Sequence, residues 1–208
     1  EFVAGWKDEP KKTKEAFISK FWLDEEGYLA DYVNYDEVNK FIRCNMAVVC
    51  GLDYKLVDDE KLVRILMTIR EHLLTPRGIR TLSPRNLLYK SNYNEDQRSQ
   101  DLASRNGSTW VWPLMFYVKS CFAIGGERFL PSAEELLGGF ESEIQTSCIG
   151  SISECFEGDP PFRARGCLSQ ATSVGGLLYI HSLIEQWKAK VAKEKGEKPA
   201  RKCVRKKK

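Results

Sequence analysis

The sequence predicts an all-α fold, and three observations carry that expectation. Apolar residues recur at helical spacing in several long runs, strand signals are nearly absent, and the helical runs alternate with irregular polar loops. With 208 residues, 42% of them hydrophobic and 29% charged, the composition is globular and the length suits one core. No stretch repeats at a fixed period.

The first helix is expected over Lys12 to Trp22, where Ala16, Phe17, Phe21 and Trp22 fall at helical spacing, and Glu25-Glu26-Gly27 ends it. Tyr28 to Val33 reads as a short aromatic loop or strand, and Ile42 to Leu52 as a buried helix. Asp58 is placed to cap a clearer helix whose inward face is Leu62, Ile65, Leu66, Ile69 and Leu73, stopped by Thr75-Pro76. Arg77 to Asn94 has little periodicity and reads as a long ordered loop. Trp110 to Phe122 is expected to be helical, burying Leu114, Met115, Val118 and Phe122 ahead of Gly125-Gly126. A further helix over Ser132 to Thr146 turns Leu136, Leu137, Phe140 and Ile144 inward. The last starts near Leu168 and carries Ala171, Val174, Leu177, Leu178, Ile180, Leu183, Ile184 and Trp187.

The net charge of +3 hides a division. Residues 188–208 hold eleven Lys and Arg against two Glu, a surplus of nine, which leaves −6 for the body. An acidic body argues against a nucleic-acid-binding domain, and a lysine-rich end without apolar period reads as a disordered basic tail. The expected division is therefore 1–187 as the folded portion and 188–208 as tail. Seven cysteines make no C-x-x-C pair, and an odd number without a signal peptide suggests reduced thiols in a cytoplasmic protein. No apolar run approaches the ~18 residues of a membrane span, so no membrane partner is expected. His72 and His181 stand on helices without further ligands nearby and read as structural; neither metal nor cofactor is expected.

The most informative segment is Gly150-Ser151-Ile152-Ser153-Glu154-Cys155-Phe156-Glu157-Gly158-Asp159-Pro160-Pro161. It sets three carboxylates within six residues, between a glycine turn and a double proline that no helix can run through. Such a loop can hold a carboxylate at a fixed distance from a substrate.

That segment continues as Phe162-Arg163-Ala164-Arg165-Gly166-Cys167-Leu168-Ser169-Gln170-Ala171, and Leu73-Leu74-Thr75-Pro76-Arg77-Gly78-Ile79-Arg80-Thr81-Leu82-Ser83-Pro84 lies upstream. Together with three shorter motifs, in order from Phe17 to Ile184, these resemble the C-terminal catalytic domain of glycogen debranching enzymes, the amylo-alpha-1,6-glucosidase family. The resemblance implies an (α/α)6 six-hairpin toroid and hydrolysis of alpha-1,6-glucosidic branch points with inversion. Twelve helices of about 11 to 12 residues plus loops exceed this length, so the chain reads as the C-terminal part of such a toroid.

Inverting hydrolysis needs one carboxyl group to protonate the leaving oxygen and a carboxylate ~6.5–9.5 Å away to activate water. The resemblance places Glu154 in the family's Ile-Ser-Glu motif as the general base; Gly150 and Pro160 fix its loop, Ser153 stands where it can orient it, and Asp159 is the runner-up. The partner acid belongs to an upstream Thr-Trp-Met-Asp segment that this chain lacks. Asp31, Asn45, Asp101, Asn106, Trp110 and Trp112 match family positions bordering the sugar, while Arg80 and Ser83 match residues that brace the long loop. Two Trp at i and i+2 cannot share a helix face, so one is expected in the core and one in the cleft. The chain departs from the family at Met46, at Arg105 in place of a neutral His, and at Thr172, whereas turn formers such as Pro76, Gly107, Gly158 and Gly166 remain.

Two functions follow. The first is a fragment of a debranching-type glucosidase acting on an alpha-glucan such as glycogen or limit dextrin, inactive without the upstream half, which would be its partner. The second is a non-catalytic glycan-binding or scaffold protein derived from the same fold.

Overall fold

The computed structural model describes residues 5–35, 37–93, 96–147 and 150–196. Asn94, Cys148, Cys203 and residues 197–208 of the expected tail lie outside the described residues.

The chain opens with α1 (Glu9–Phe21), whose stacked Phe17 and Phe21 rings face the core. Two antiparallel hairpins follow, β1 (Trp22–Leu23) with β2 (Tyr28–Leu29) and β3 (Tyr32–Asn34) with β4 (Glu37–Asn39). The next helix, α2 (Asn45–Cys50), is shorter than the apolar run suggests. In α3 (Asp59–His72) the expected inward face is buried, and the Asp58 carboxylate accepts the Lys61 amide at 2.8 Å, as an N-cap does.

The expected all-α class is corrected to mostly helical with a small sheet. An antiparallel ribbon runs in chain order: β5 (Leu74–Thr75), β6 (Gly78–Arg80), β7 (Thr109–Trp110), β8 (Cys155–Phe156) and β9 (Ala164–Arg165). Strands of two or three residues are too short to print an alternating pattern, so periodicity passed over them. Between β6 and β7 lies α4 (Gln97–Asn106), a helix that the sequence does not advertise. Its only fully buried position is Ala103, and Asp96 caps it through the Ser99 amide.

Directly after β7 comes α5 (Trp112–Gly125), the central helix, which packs on α2, α3 and α8 (Ala171–Glu194). It is apolar around most of its circumference, as a helix enclosed on several sides must be. The helix expected over Ser132 to Thr146 is two helices, α6 (Leu130–Gly138) and α7 (Glu141–Thr146), broken at Gly138-Gly139. The break shifts the helical phase. Phe140 remains fully buried, but Glu143 turns inward and Ile144 is exposed. In α8 the inward stripe is Leu177, Ile180 and Ile184, with Leu178 outside.

The final helix also passes the boundary expected at Trp187. Lys188 pairs with Glu134 of α6 at 2.7 Å, and Lys190 lies over the Trp187 ring. No helix among the described residues is long and apolar enough to cross a membrane.

Thr109 Oγ1 is fully buried in β7 without a hydrogen-bond partner among the described residues, as is the hydroxyl of Ser108. A buried unsatisfied hydroxyl costs about 1–3 kcal/mol, and valine keeps the shape and the β-branch. Thr109→Val is therefore expected to leave stability unchanged or raise it by about 1 kcal/mol in urea unfolding. A clear loss would mean that the hydroxyl has a partner.

Candidate active site

The ribbon gathers the chemistry. In the β7–β8 register Trp110 faces Cys155, so Glu154 immediately precedes the residue paired with a candidate sugar-binding tryptophan. Around this line the structure forms two hollows, served by successive turns of α4.

The first hollow, of about 320 Å³, is bordered by Asn45, Ser104, Arg105, Trp110 and Trp112. Both tryptophans are half-buried and line the same space, which corrects the expectation of one core and one cleft residue. Trp110 ends a strand and Trp112 starts a helix, so the rule for i and i+2 within a helix does not apply; the residue between them, Val111, is fully buried. The indole Nε1 of Trp110 donates to the Ser104 carbonyl at 3.2 Å, fixing the ring.

Beneath this hollow Arg43 joins three of the predicted residues. Its Nε stands 3.2 Å from Asp31, its two terminal nitrogens donate to the Arg105 carbonyl (2.6 Å) and to Asn106 Oδ1 (2.8 Å), and Asn45 donates to Asp31 at 2.7 Å. The side chains of Arg43 and Asp31 are only 18% and 10% exposed. Asp31, Asn45 and Asn106 are thus brought together. Asp101 is not among them: it is exposed on α4 and accepts Gln97 Nε2 at 3.0 Å. Arg43 itself was missed as a functional residue, although a lone cation between Ile42 and Cys44 in an apolar run is a readable sign of a buried partner.

The second hollow, of about 560 Å³ and open to solvent, is bordered by Tyr93, Gln97, Gln100, Glu154, Arg165 and Cys167. Glu154 Oε2 accepts the Cys167 amide at 2.9 Å, and the Glu154 amide donates back to the Cys167 carbonyl at 2.9 Å. Gly166, at φ +70°, lies where any Cβ would strike that carboxylate, so glycine is what allows Glu154 to rest there. The expectation that Ser153 orients Glu154 is corrected: Ser153 is buried and donates to Glu143 Oε1 at 2.9 Å, since successive residues of an extended segment point opposite ways. Burial, and then the nearby Cys155, Glu154 and Asp101, push the Tyr93 hydroxyl up from its ordinary pKa.

Asp159 is held differently. It accepts the Tyr89 hydroxyl at 2.8 Å and has Arg80 at 3.9 Å, while Arg80 Nε donates to the Gly158 carbonyl at 2.7 Å. Burial and the Asp159 hydrogen bond both push the Tyr89 hydroxyl up. Arg80 and Asp159 thus brace the loop, as expected for Arg80, and buried Glu157 is taken by Arg165 at 2.6 Å. Ser83 is buried and receives the Arg85 amide.

Residues 3–179 match the family described as amylo-alpha-1,6-glucosidase. The chain belongs to this family. Among solved structures it is similar to the neutral trehalase Nth1 from Saccharomyces cerevisiae, with a TM-score of 0.55 and 16% identity over 94% of this chain. The chain spans 33% of that neighbour's length. No curated protein matches the chain. Family and fold together support a glycosidase-type domain.

Two expectations test this geometry. Arg43→Ala leaves Asp31 without its cation and is expected to cost about 2–3 kcal/mol in urea unfolding, because hydrogen bonds to charged groups are each worth ~1.5–3 kcal/mol. Arg43→Lys restores less than half, having no fork to reach three acceptors.

The second concerns Cys167, whose thiol the Glu154 carboxylate pushes up, by hydrogen bond and then by charge. A neutral amide removes the negative charge that disfavours thiolate. In a chain with Cys148 and Cys203 changed to Ser, Glu154→Gln is therefore expected to shift the Cys167 titration to lower pH and speed its reaction with a disulfide reagent near neutrality. An unchanged profile would separate the two residues.

Proposed function

We propose that this chain is the C-terminal part of a debranching-type glucosidase that hydrolyses alpha-1,6-glucosidic branch points of glycogen or limit dextrin with inversion. Glu154 is its general base. The observation that carries this reading is the contrast between two carboxylates of one loop: Glu154 borders an open hollow, held by the amide and thiol of Cys167, whereas Asp159 is engaged by Tyr89 and Arg80. A general base needs an oxygen accessible to water, and the Asp159 carboxylate is already occupied by the Tyr89 hydroxyl with Arg80 beside it.

In this mechanism Glu154 takes a proton from the attacking water while a carboxylic acid from the upstream half protonates the leaving oxygen. Trp110 and Trp112 offer faces to the sugar C–H groups, and Asn45, held by Asp31, and Asn106, held by Arg43, supply polar contacts. Without the acid, the chain by itself is inactive. The upstream half would also cover the apolar groove of about 470 Å³ between α6, α7 and α8, which Leu137, Ile144, Val174 and Leu178 border. A cytoplasmic location accords with the free thiols of Cys44, Cys50, Cys121, Cys155 and Cys167.

The purified chain is expected to release no glucose from limit dextrin, general acid catalysis being worth ~10²–10⁴ in rate. In a longer form containing the upstream half, Glu154→Gln is expected to remove most turnover while glucan binding persists, and Asp159→Asn to have a milder effect. The reverse ranking would move the base to Asp159. Mild effects at both would take this loop out of the chemistry and favour a non-catalytic glycan-binding module.

A further inference from the structure

Arg105 is the unassigned cation of the tryptophan-lined hollow. Its neighbour Arg43 is ion-paired with Asp31 and donates to the Arg105 carbonyl and to Asn106, so that cation is neutralised in place. Arg105, in contrast, is exposed and borders the hollow, and its side chain has no hydrogen-bond or ion-pair partner among the described residues. The carboxylate best placed in sequence to quench it is Asp101, one helical turn earlier on α4. That carboxylate accepts Gln97 Nε2 at 3.0 Å and makes no ion pair with Arg105.

We propose that this hollow takes a hexose bearing one negative charge, a phosphate ester or a carboxylate, with Arg105 holding the anion and Trp110 and Trp112 flanking the ring. The inference rests on the carbohydrate reading of the site and goes beyond it, the charged sugar being a second ligand of the hollow beside the neutral glucan of the proposed reaction. The chemistry is complementary in both halves. Two indoles bordering about 320 Å³ give a pyranose apolar faces to lie against, and a guanidinium offers two parallel N–H groups to the oxygens of a carboxylate or phosphate. A neutral glucose residue would leave that fork facing water. An anionic one converts it to a charge-assisted pair.

Binding of glucose, glucose 6-phosphate, glucuronate and inorganic phosphate to the 208-residue chain, followed by tryptophan fluorescence and confirmed by calorimetry, tests this. Glucose 6-phosphate, glucuronate or both are expected to bind about ten-fold tighter than glucose, the factor set by a single exposed charge-assisted contact. Whichever is tighter identifies the anion. Arg105→Ala is expected to bring that ratio to about one, Arg105→Lys to retain part of it, and Trp112→Ala to weaken all the sugars. Equal affinity for neutral and anionic sugars, or a preference that survives Arg105→Ala, overturns the inference while leaving the glucosidase reading intact. Inorganic phosphate binding as tightly as glucose 6-phosphate also overturns it, since the hollow would then hold an anion and not a sugar. Failure of every sugar to bind overturns the inference as well. The glucosidase reading has its own separate test in Glu154→Gln turnover.

Discussion

The run Thr109-Trp110-Val111-Trp112-Pro113 constrains the rest of the structure. It is the middle strand of the ribbon and the start of the central helix, with one residue between the two. Val111 is fully buried at that junction, and Leu114, Val118 and Phe122 carry the burial into the core. Because β7 is paired on both edges, its position fixes β6 on one side and β8 on the other. Because α5 packs against α2, α3 and α8, the same run sets those helices around it. The hollow at Trp110 and Trp112 and the loop of Glu154 are placed by one continuous piece of backbone, and catalytic geometry requires that kind of rigidity.

Much of this was legible. The stripe of α3, its Asp58 cap and the burial of Leu177, Ile180 and Ile184 in α8 follow from spacing alone, since long helices against a core repeat their signal over several turns. What the sequence hid was hidden for physical reasons. Strands of two residues carry no period, and α4 has almost no apolar face because it covers the site from the solvent side with only Ala103 buried. The inward turn of Glu143 required knowing that Gly138-Gly139 breaks the phase between α6 and α7. Its carboxylate is tolerated there because the Ser147 and Ser153 hydroxyls, at 3.0 and 2.9 Å, satisfy it.

The site was legible in a different way. Glu154, Asp31, Asn45, Asn106 and the two tryptophans were identified by resemblance, and composition alone would have left them as surface residues. What sequence could not express is how their roles divide. Asp159 and Glu154 are five residues apart and chemically alike, yet a phenol and a guanidinium occupy one while the amide and thiol of Cys167, beside an open hollow, hold the other. Environment separates the pair.

The motif residues that made the family recognisable are largely those that set backbone, and this has a consequence for substrate. A side chain on Gly166 would strike the Glu154 carboxylate, and one on Gly158 would strike the Gly107 carbonyl and the Tyr89 hydroxyl, so these residues are dictated by close approach whatever the hollow contains. Arg105 answers to no such constraint. Its carbonyl serves Arg43 and so belongs to the frame, but its side chain is exposed, and any residue compatible with the end of α4 would keep the frame intact. Family membership therefore reports the frame more firmly than the ligand. Substrate choice is free to change at positions like Arg105, where a side chain borders the hollow without holding up the fold.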